Sequence, residues 1–292
     1  MMRRLYTKAY AKLNLSLDIT GVRPDGYHEL IMVMQTTTLY DNVALERLTE
    51  ADGIRSRSNL RYIPNDSRNL GVKAATAFFE HTGIRAGVSI NIKKNIPVGS
   101  GMGGGSADAA AVLRGLNQMF GYPLDRKALE DLGATVGSDV PFCIAGGTQL
   151  ATGRGEVLSD LPPLPDCSIV ICKPSFSIST PELYRRIDDT EILHHPNTQA
   201  LLEGLDNGDL PQICKNMYNV FEETPLEQFV TIRQIRQTLT DLGALGSMMT
   251  GSGSAVFGIF DDPDRASAAY EAMNAEYPFC FHVNNRKAIR IR

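Results

Sequence analysis

Pro97-Val98-Gly99-Ser100-Gly101-Met102-Gly103-Gly104-Gly105-Ser106-Ala107-Asp108-Ala109-Ala110 carries five glycines in the seven positions from Gly99 to Gly105. Such density excludes a helix or strand interior, where each glycine costs about 0.5–1 kcal/mol relative to alanine. It suits a loop whose backbone N–H groups turn inward and converge on one object. Behind the loop, Ala109, Val112, Leu113 and Leu116 fall at helical spacing, and Ser106 stands where an N-cap belongs. Ahead of it, Val88, Ile90 and Ile92 alternate with Ser89 and Asn91, the pattern of a strand with one buried face. The unit is strand, glycine loop, helix N-terminus. Converging N–H groups at the positive end of a helix dipole make an anion site, and phosphate is its usual occupant.

Other glycine loops fit less well. A P-loop needs Lys and then Ser/Thr after its last glycine, which this chain lacks. Gly99-x-Gly101-x-x-Gly104 matches the spacing of a dinucleotide fingerprint, but Pro97 and Lys93-Lys94-Asn95 separate it from its strand. No acidic residue at a strand end follows about 20 residues later, and Asp125 sits in a helix-start context. A plain turn without ligand does not need five glycines.

Bulk properties bound the answer. The 292 residues can bury a large core and suffice for two domains. A net charge of -4 excludes the basic excess of a nucleic-acid-binding surface. The five cysteines form no C-x-x-C pair and read as reduced thiols. Polar residues interrupt the N-terminus before any signal-peptide core forms. Leu242 to Phe260 is uncharged, but its five glycines and three serines read as a loop and a strand rather than a membrane span. A cytoplasmic protein, monomer or weak homodimer, without membrane or nucleic-acid partners, is expected.

From Lys8 to Asp18, apolar Ala9, Ala11, Leu13, Leu15 and Leu17 alternate with polar residues, so one strand face is buried while Lys12 and Asn14 project side by side from the other. Arg23-Pro24-Asp25-Gly26 is a turn that presents Tyr27 and His28 at the start of a second strand. Asp66 to Asn69 supplies capping residues before a helix through Ala74 and Phe78. Another helix runs from Leu124 to about Thr135. Gly137-Ser138-Asp139-Val140-Pro141 then breaks it, Pro141 disfavouring helix at Val140 and leaving Asp139 on a short rigid turn. The cluster Leu161-Pro162-Pro163-Leu164-Pro165 marks a boundary between domains 1–160 and 161–292. Beyond it come a buried strand over 168–172 and a helix that Thr180 caps with Pro181 in its first position. Helices are expected over 211–221, 225–242 and 264–276, with a second glycine loop, Thr250-Gly251-Ser252-Gly253-Ser254, before a strand over 255–260. The basic tail (Arg286, Lys287, Arg290, Arg292) reads as a solvated edge strand.

Pro97 to Ala110 resembles the second motif of the GHMP kinases, whose loop wraps the triphosphate of ATP. Met249 to Gly258 resembles their third motif, which packs beside the phosphates. Ala11-Lys12-Leu13-Asn14 with Gly26-Tyr27-His28-Glu29-Leu30 looks like the opening signature of the branch acting on 4-diphosphocytidyl-2-C-methyl-D-erythritol, with Tyr10 where that branch has proline. The resemblance implies an α+β fold of two domains with the ATP site between them. It implies that Lys12 and Asp139 are catalytic and that Pro97, Gly99, Gly101, Gly103, Gly104, Gly105 and Ser106 hold phosphates, while Asn69 and Lys94 line the adenine pocket. It further implies that Asn14 and Thr180 meet the substrate, that Tyr27 and Tyr184 stack on cytosine, and that His28 hydrogen-bonds its edge. The cap role of Asn69 and a solvated Lys94 remain open beside these. The expected reaction is ATP-dependent phosphorylation of the substrate's 2-hydroxyl in non-mevalonate isoprenoid synthesis. Another small alcohol as substrate, or a ligand sensor without turnover, are the alternatives; Lys12 with Asp139 favours turnover. Magnesium is expected with ATP, and no residue is assigned to it.

Overall fold

The computed structural model describes residues 3–289. Two long strands, β1 (Arg4–Val22) and β2 (His28–Leu48), form an antiparallel hairpin. The turn between them is the expected one: the Gly26 amide donates to the Arg23 carbonyl at 3.0 Å, with Gly26 at φ +82°. Then follow β3 (Ile54–Ser58), α1 (Leu70–Thr82), β4 (Gly87–Lys93), α2 (Gly104–Met119), α3 (Arg126–Val136) and α4 (Val140–Ala145). The strands β5 (Thr148–Gly153) and β6 (Val157–Asp160) lead to the proline cluster. Beyond it lie β7 (Ser168–Lys173), α5 (Thr180–Asp188), α6 (Thr198–Asn207), α7 (Leu210–Lys215), β8 (Tyr218–Asn219) and α8 (Gln228–Asp241). The last described elements are β9 (Gly246–Met249), β10 (Val256–Phe260), α9 (Pro263–Glu276) and β11 (Phe279–Arg286).

The strands join in the order β3-β4-β2-β11-β7-β10-β9, with β1 and β5 also paired to β2. Different stretches of β2 serve different neighbours: 30–35 meet β5, Thr36 and Thr37 meet β11, and 42–48 meet β4. The basic end is therefore not an edge strand. β11 lies between β2 and β7, and Asn285 anchors it by donating to the Leu164 carbonyl at 2.9 Å and accepting from the Cys167 amide at 3.0 Å. A strand held in a ladder by backbone and amide bonds needs no apolar face, which is why its polar sequence misleads. Arg290 and Arg292 lie outside the described residues.

The alternation along β1 predicts one buried face, yet every residue from Ala11 to Ile19 is buried. The C-terminal half covers the second face: the Asn14 amide donates to Thr250 Oγ1 at 3.1 Å, and β8 pairs in parallel with Ser16 and Leu17. The helix expected over 211–221 stops at Lys215, because the chain must extend at Tyr218-Asn219 to make that pairing. α6 was not apparent in the sequence. Pro141 does not exclude helix at Val140; it occupies the first turn of α4, where a missing N–H costs nothing.

Eleven of the sixteen residues of α2 are buried between the β1–β2 hairpin and its neighbours α1, α3 and α4. Gly115 permits the close approach: a Cβ there would lie 2.5 Å from Leu45 Cδ1 and 3.2 Å from Leu5 Cδ2. Alanine in a helix interior gains about 1 kcal/mol over glycine, but overpacking costs about 1–3 kcal/mol, and Leu45 is fully buried. Gly115→Ala should therefore be destabilising by about 1–2 kcal/mol in urea unfolding, and a stabilised variant would show that Leu45 can yield.

Candidate active site

Gly99, Gly101 and Gly103 adopt φ of +64°, +76° and +66°, conformations that a side chain disfavours. The loop reaches α2 one turn earlier than the sequence predicts. Gly103 occupies the cap position without any side-chain cap, and Ser106 is the third helical residue rather than the N-cap. The Ala107 amide closes the first turn on the Gly103 carbonyl at 2.8 Å. The N–H groups of Gly104, Gly105 and Ser106 thus have no carbonyl behind them in the helix, at the positive end of its dipole. The second glycine loop packs directly on the first, with the Ala255 amide on the Ser100 carbonyl at 3.1 Å. Gly101 makes this possible, since a Cβ there would lie 2.1 Å from the Thr250 carbonyl oxygen.

Lys12 lies beneath both loops. Its amide donates to the Met102 carbonyl at 3.1 Å and its Nζ to Asn14 Oδ1 at 2.6 Å. Asp139, in the cap position of α4, brings Oδ2 to 3.8 Å from that Nζ. The lysine side chain is 6 % exposed and the aspartate 30 %, so the carboxylate faces open space and the ammonium backs it. Asn14 lies fully buried behind Lys12.

A cavity of about 840 Å³ opens from here. All the residues singled out in the sequence line it except Asn14. Beside the start of α2 lie Asn69 and Lys94, and at α5 and the facing start of β2 lie Tyr27, His28, Thr180 and Tyr184. Thr180 is the first residue of α5 rather than its cap, which is Ser179; its hydroxyl meets Ser252 Oγ of the second glycine loop at 2.6 Å. Tyr184 lies on the His28 imidazole, and the exposed Tyr27 has the Arg154 guanidinium 4.9 Å from its ring centroid.

Residues 69–147 match the family GHMP kinases N terminal domain, and residues 201–278 match GHMP kinases C terminal. The chain is 46% identical over 270 residues to the 4-diphosphocytidyl-2-C-methyl-D-erythritol kinase of Clostridium botulinum, covering 92% of this chain and 96% of that one. The Clostridium tetani enzyme of the same name is 47% identical over the same shares. The chain belongs to the GHMP kinases, in the 4-diphosphocytidyl-2-C-methyl-D-erythritol kinase branch. A crystal structure of 4-(cytidine 5'-diphospho)-2C-methyl-D-erythritol kinase superposes with a TM-score of 0.81 at 33% identity, over 96% of this chain and 99% of the other. The homoserine kinase of Cytophaga hutchinsonii reaches 0.78 at 20% identity over 99% and 96%, a likeness of fold alone.

Within this GHMP kinase the structure settles the surroundings of Lys94 and Asn69 and adds Asp188 and Arg154. Lys94 is not solvated: its buried Nζ donates to Asp41, to Asp108 at 2.7 Å and to the Gly104 carbonyl at 3.3 Å. Burial opposes its charge, but the two carboxylates outweigh burial and raise its pKa. Asn69 is engaged as a cap, accepting from the Gly71 amide at 2.8 Å and donating to the Pro64 carbonyl, while still lining the cavity. Asp188 meets His28 at 2.6 Å; its place four residues after Tyr184 on one helix was the available signal. Arg154, in a turn between two glycines, gave none. Among the described residues no group of three His, Cys, Asp or Glu is arranged to hold a metal, and no helix is long and apolar enough to cross a membrane.

Burial pushes Asp108 up to about 7, against the pull of Lys94, and its Oδ1 is buried without a partner. Between the ordinary carboxylate range and about 7, the folded chain holds a proton that the unfolded chain has released. Stability from this group is therefore present at the acid end and lost as pH rises through that window. Asp108→Asn cannot ionise, so the difference in unfolding free energy between wild type and variant should shift toward the variant from pH 5 to pH 8. Parallel pH profiles would show that Asp108 titrates as an ordinary carboxyl.

Proposed function

We propose that the chain transfers the γ-phosphoryl group of ATP to the 2-hydroxyl of 4-diphosphocytidyl-2-C-methyl-D-erythritol. The observation that carries this reading is the Lys12–Asp139 pair at 3.8 Å, set beside the uncapped N-terminus of α2 in a cavity with a separate aromatic end. Phosphoryl transfer asks a protein mainly for position and for charge stabilisation. The N–H groups of Gly104, Gly105 and Ser106, with the loop of Pro97, Gly99, Gly101 and Gly103, would hold the β- and γ-phosphates. Asn69 and Lys94 would stand at the adenine end, Lys94 shaping that wall rather than supplying charge to phosphate. Asp139 would orient the attacking hydroxyl and accept its proton, and Lys12 would stabilise charge gathering on the transferring oxygens. Asn14 would act through Lys12, and Thr180 would meet the substrate from the start of α5. Tyr27, His28 and Tyr184 would take the cytosine. Magnesium would arrive with ATP and offset the charge of its phosphates, with no residue of this chain assigned to it.

The partition into 1–160 and 161–292 suits this reading, since both parts contribute to the cavity wall, with β11 returning to the sheet of the first. The decisive assay supplies purified protein with ATP, magnesium and the diphosphocytidyl alcohol and follows ADP and the 2-phosphate product. ATP binding without turnover would favour a sensor.

Asp139→Asn and Lys12→Ala should keep the fold and bind ATP, yet lower kcat about 10²-fold or more, the range for losing a general base or its electrostatic partner. Near-full turnover at saturating substrate in either variant would remove that residue from the chemistry. Stacking on a base is worth about 1–3 kcal/mol per aromatic. Tyr184→Ala should accordingly raise KM for the diphosphocytidyl alcohol roughly 5- to 150-fold and leave KM for ATP nearly unchanged. Equal effects on both substrates would mean that the ring serves packing.

A further inference from the structure

The imidazole of His28 is held from two sides. Its Nε2 lies 2.6 Å from Asp188 Oδ1, and the Tyr184 ring covers one face, with centroids 4.7 Å apart and planes 29° apart. Phe221 lies against Tyr184 with ring centroids 5.0 Å apart and planes 88° apart. Tyr184 and Asp188 stand four residues apart on α5 and so reach the same place. Asp188 is the last residue of that helix, where a carboxylate opposes the dipole rather than helping it. Among the described residues His28 is its one ionic partner, and His28 Nδ1 has no hydrogen-bond partner.

A neutral imidazole has one N–H and one lone pair, and a carboxylate only accepts. With Asp188 on Nε2, the proton belongs there, and Nδ1 is left as an acceptor without a hydrogen-bond partner among the described residues, on a side chain that lines the cavity. The two pyrimidines differ where such an acceptor reads them: cytosine offers its N4 amino donor where uracil offers an oxygen acceptor. We infer that Asp188 is a positioning residue that holds His28 in the Nε2–H tautomer and so keeps Nδ1 an acceptor toward the N4 amino group of the cytosine that the proposed function places here. The inference rests on the reading of this end of the cavity as the base site.

The test combines ¹⁵N NMR of His28 in the whole protein with kinetics on the diphosphocytidyl alcohol and its uridine analogue. Wild type should show the Nε2–H tautomer. Asp188→Asn can donate its amide to Nε2 and move the proton to Nδ1; Asp188→Ala leaves the tautomer unset. Asp188 is 48% exposed, so both variants should fold, which thermal melts check. Each should raise KM for the cytidine substrate about ten-fold and lower the cytidine-to-uridine ratio of kcat/KM about ten-fold or more, the scale of one buried hydrogen bond left unmade. The kcat and KM for ATP should stay within about two-fold. An Nδ1–H tautomer in wild type, or an unchanged ratio in both variants, overturns the inference. If His28→Ala loses selectivity while the Asp188 variants keep it, only the role of Asp188 falls. If His28→Ala also keeps it, the base site itself has been misread.

Discussion

Backbone meets backbone where Gly101 passes the Thr250 carbonyl, at a spacing that leaves no room for a Cβ. The rest of the cavity depends on that contact, because it sets one glycine loop on the other. Asn219 strengthens it from behind, donating its amide to the Met249 carbonyl at 2.9 Å and the Gly251 carbonyl at 2.8 Å. Once the second loop is seated, Thr250 covers Asn14 and the polar side of β1 is sealed. Lys12 is then confined, and its ammonium has few places to go besides Asn14 and Asp139.

Two lysines near the glycine loop meet opposite fates, and the difference organises the charge. Lys94 is spent on Asp41 and Asp108, a buried trio with one positive and two potential negative charges. Asp41 also accepts from the Ile96 amide at 2.8 Å, so the trio ties β2 and the segment after β4 to the start of α2. A buried charge set of this kind is costly to break, since each partner removed leaves another uncompensated. Among the described residues Lys12 faces only one carboxylate, at a distance longer than a hydrogen bond. Together with the free N–H groups of α2 it is therefore a positive feature at the glycine loop, while Lys94 supports the wall.

Local chemistry was legible wherever short-range rules apply. The Arg23–Gly26 turn, the Asn69 cap and the strand over 87–93 follow from turn preferences, capping geometry and period-two alternation. Spacing failed where a distant segment intervenes. Ser106 looks like a cap because serine usually is one, but three glycines at positive φ start the helix before it. Thr180 fails by one residue for a similar reason, its hydroxyl being taken by Ser252. A solvated Lys94 stays open from the sequence because neither Asp41 nor Asp108 is adjacent to it there.

The sequence by itself determined the succession of strand, glycine loop and helix and the turns that carry Tyr27, His28 and Asp139, because glycine density, turn residues and motif order are local properties of the chain. Only the tertiary structure decided what those groups touch. It buried both faces of β1, placed β11 inside the sheet, neutralised Lys94, laid Tyr184 on His28 and set Asp188 against the free edge of that ring. The physical reason is common to all five: each arises from contact between segments far apart along the chain, whose orientation follows from packing and pairing rather than from the preferences of the residues themselves.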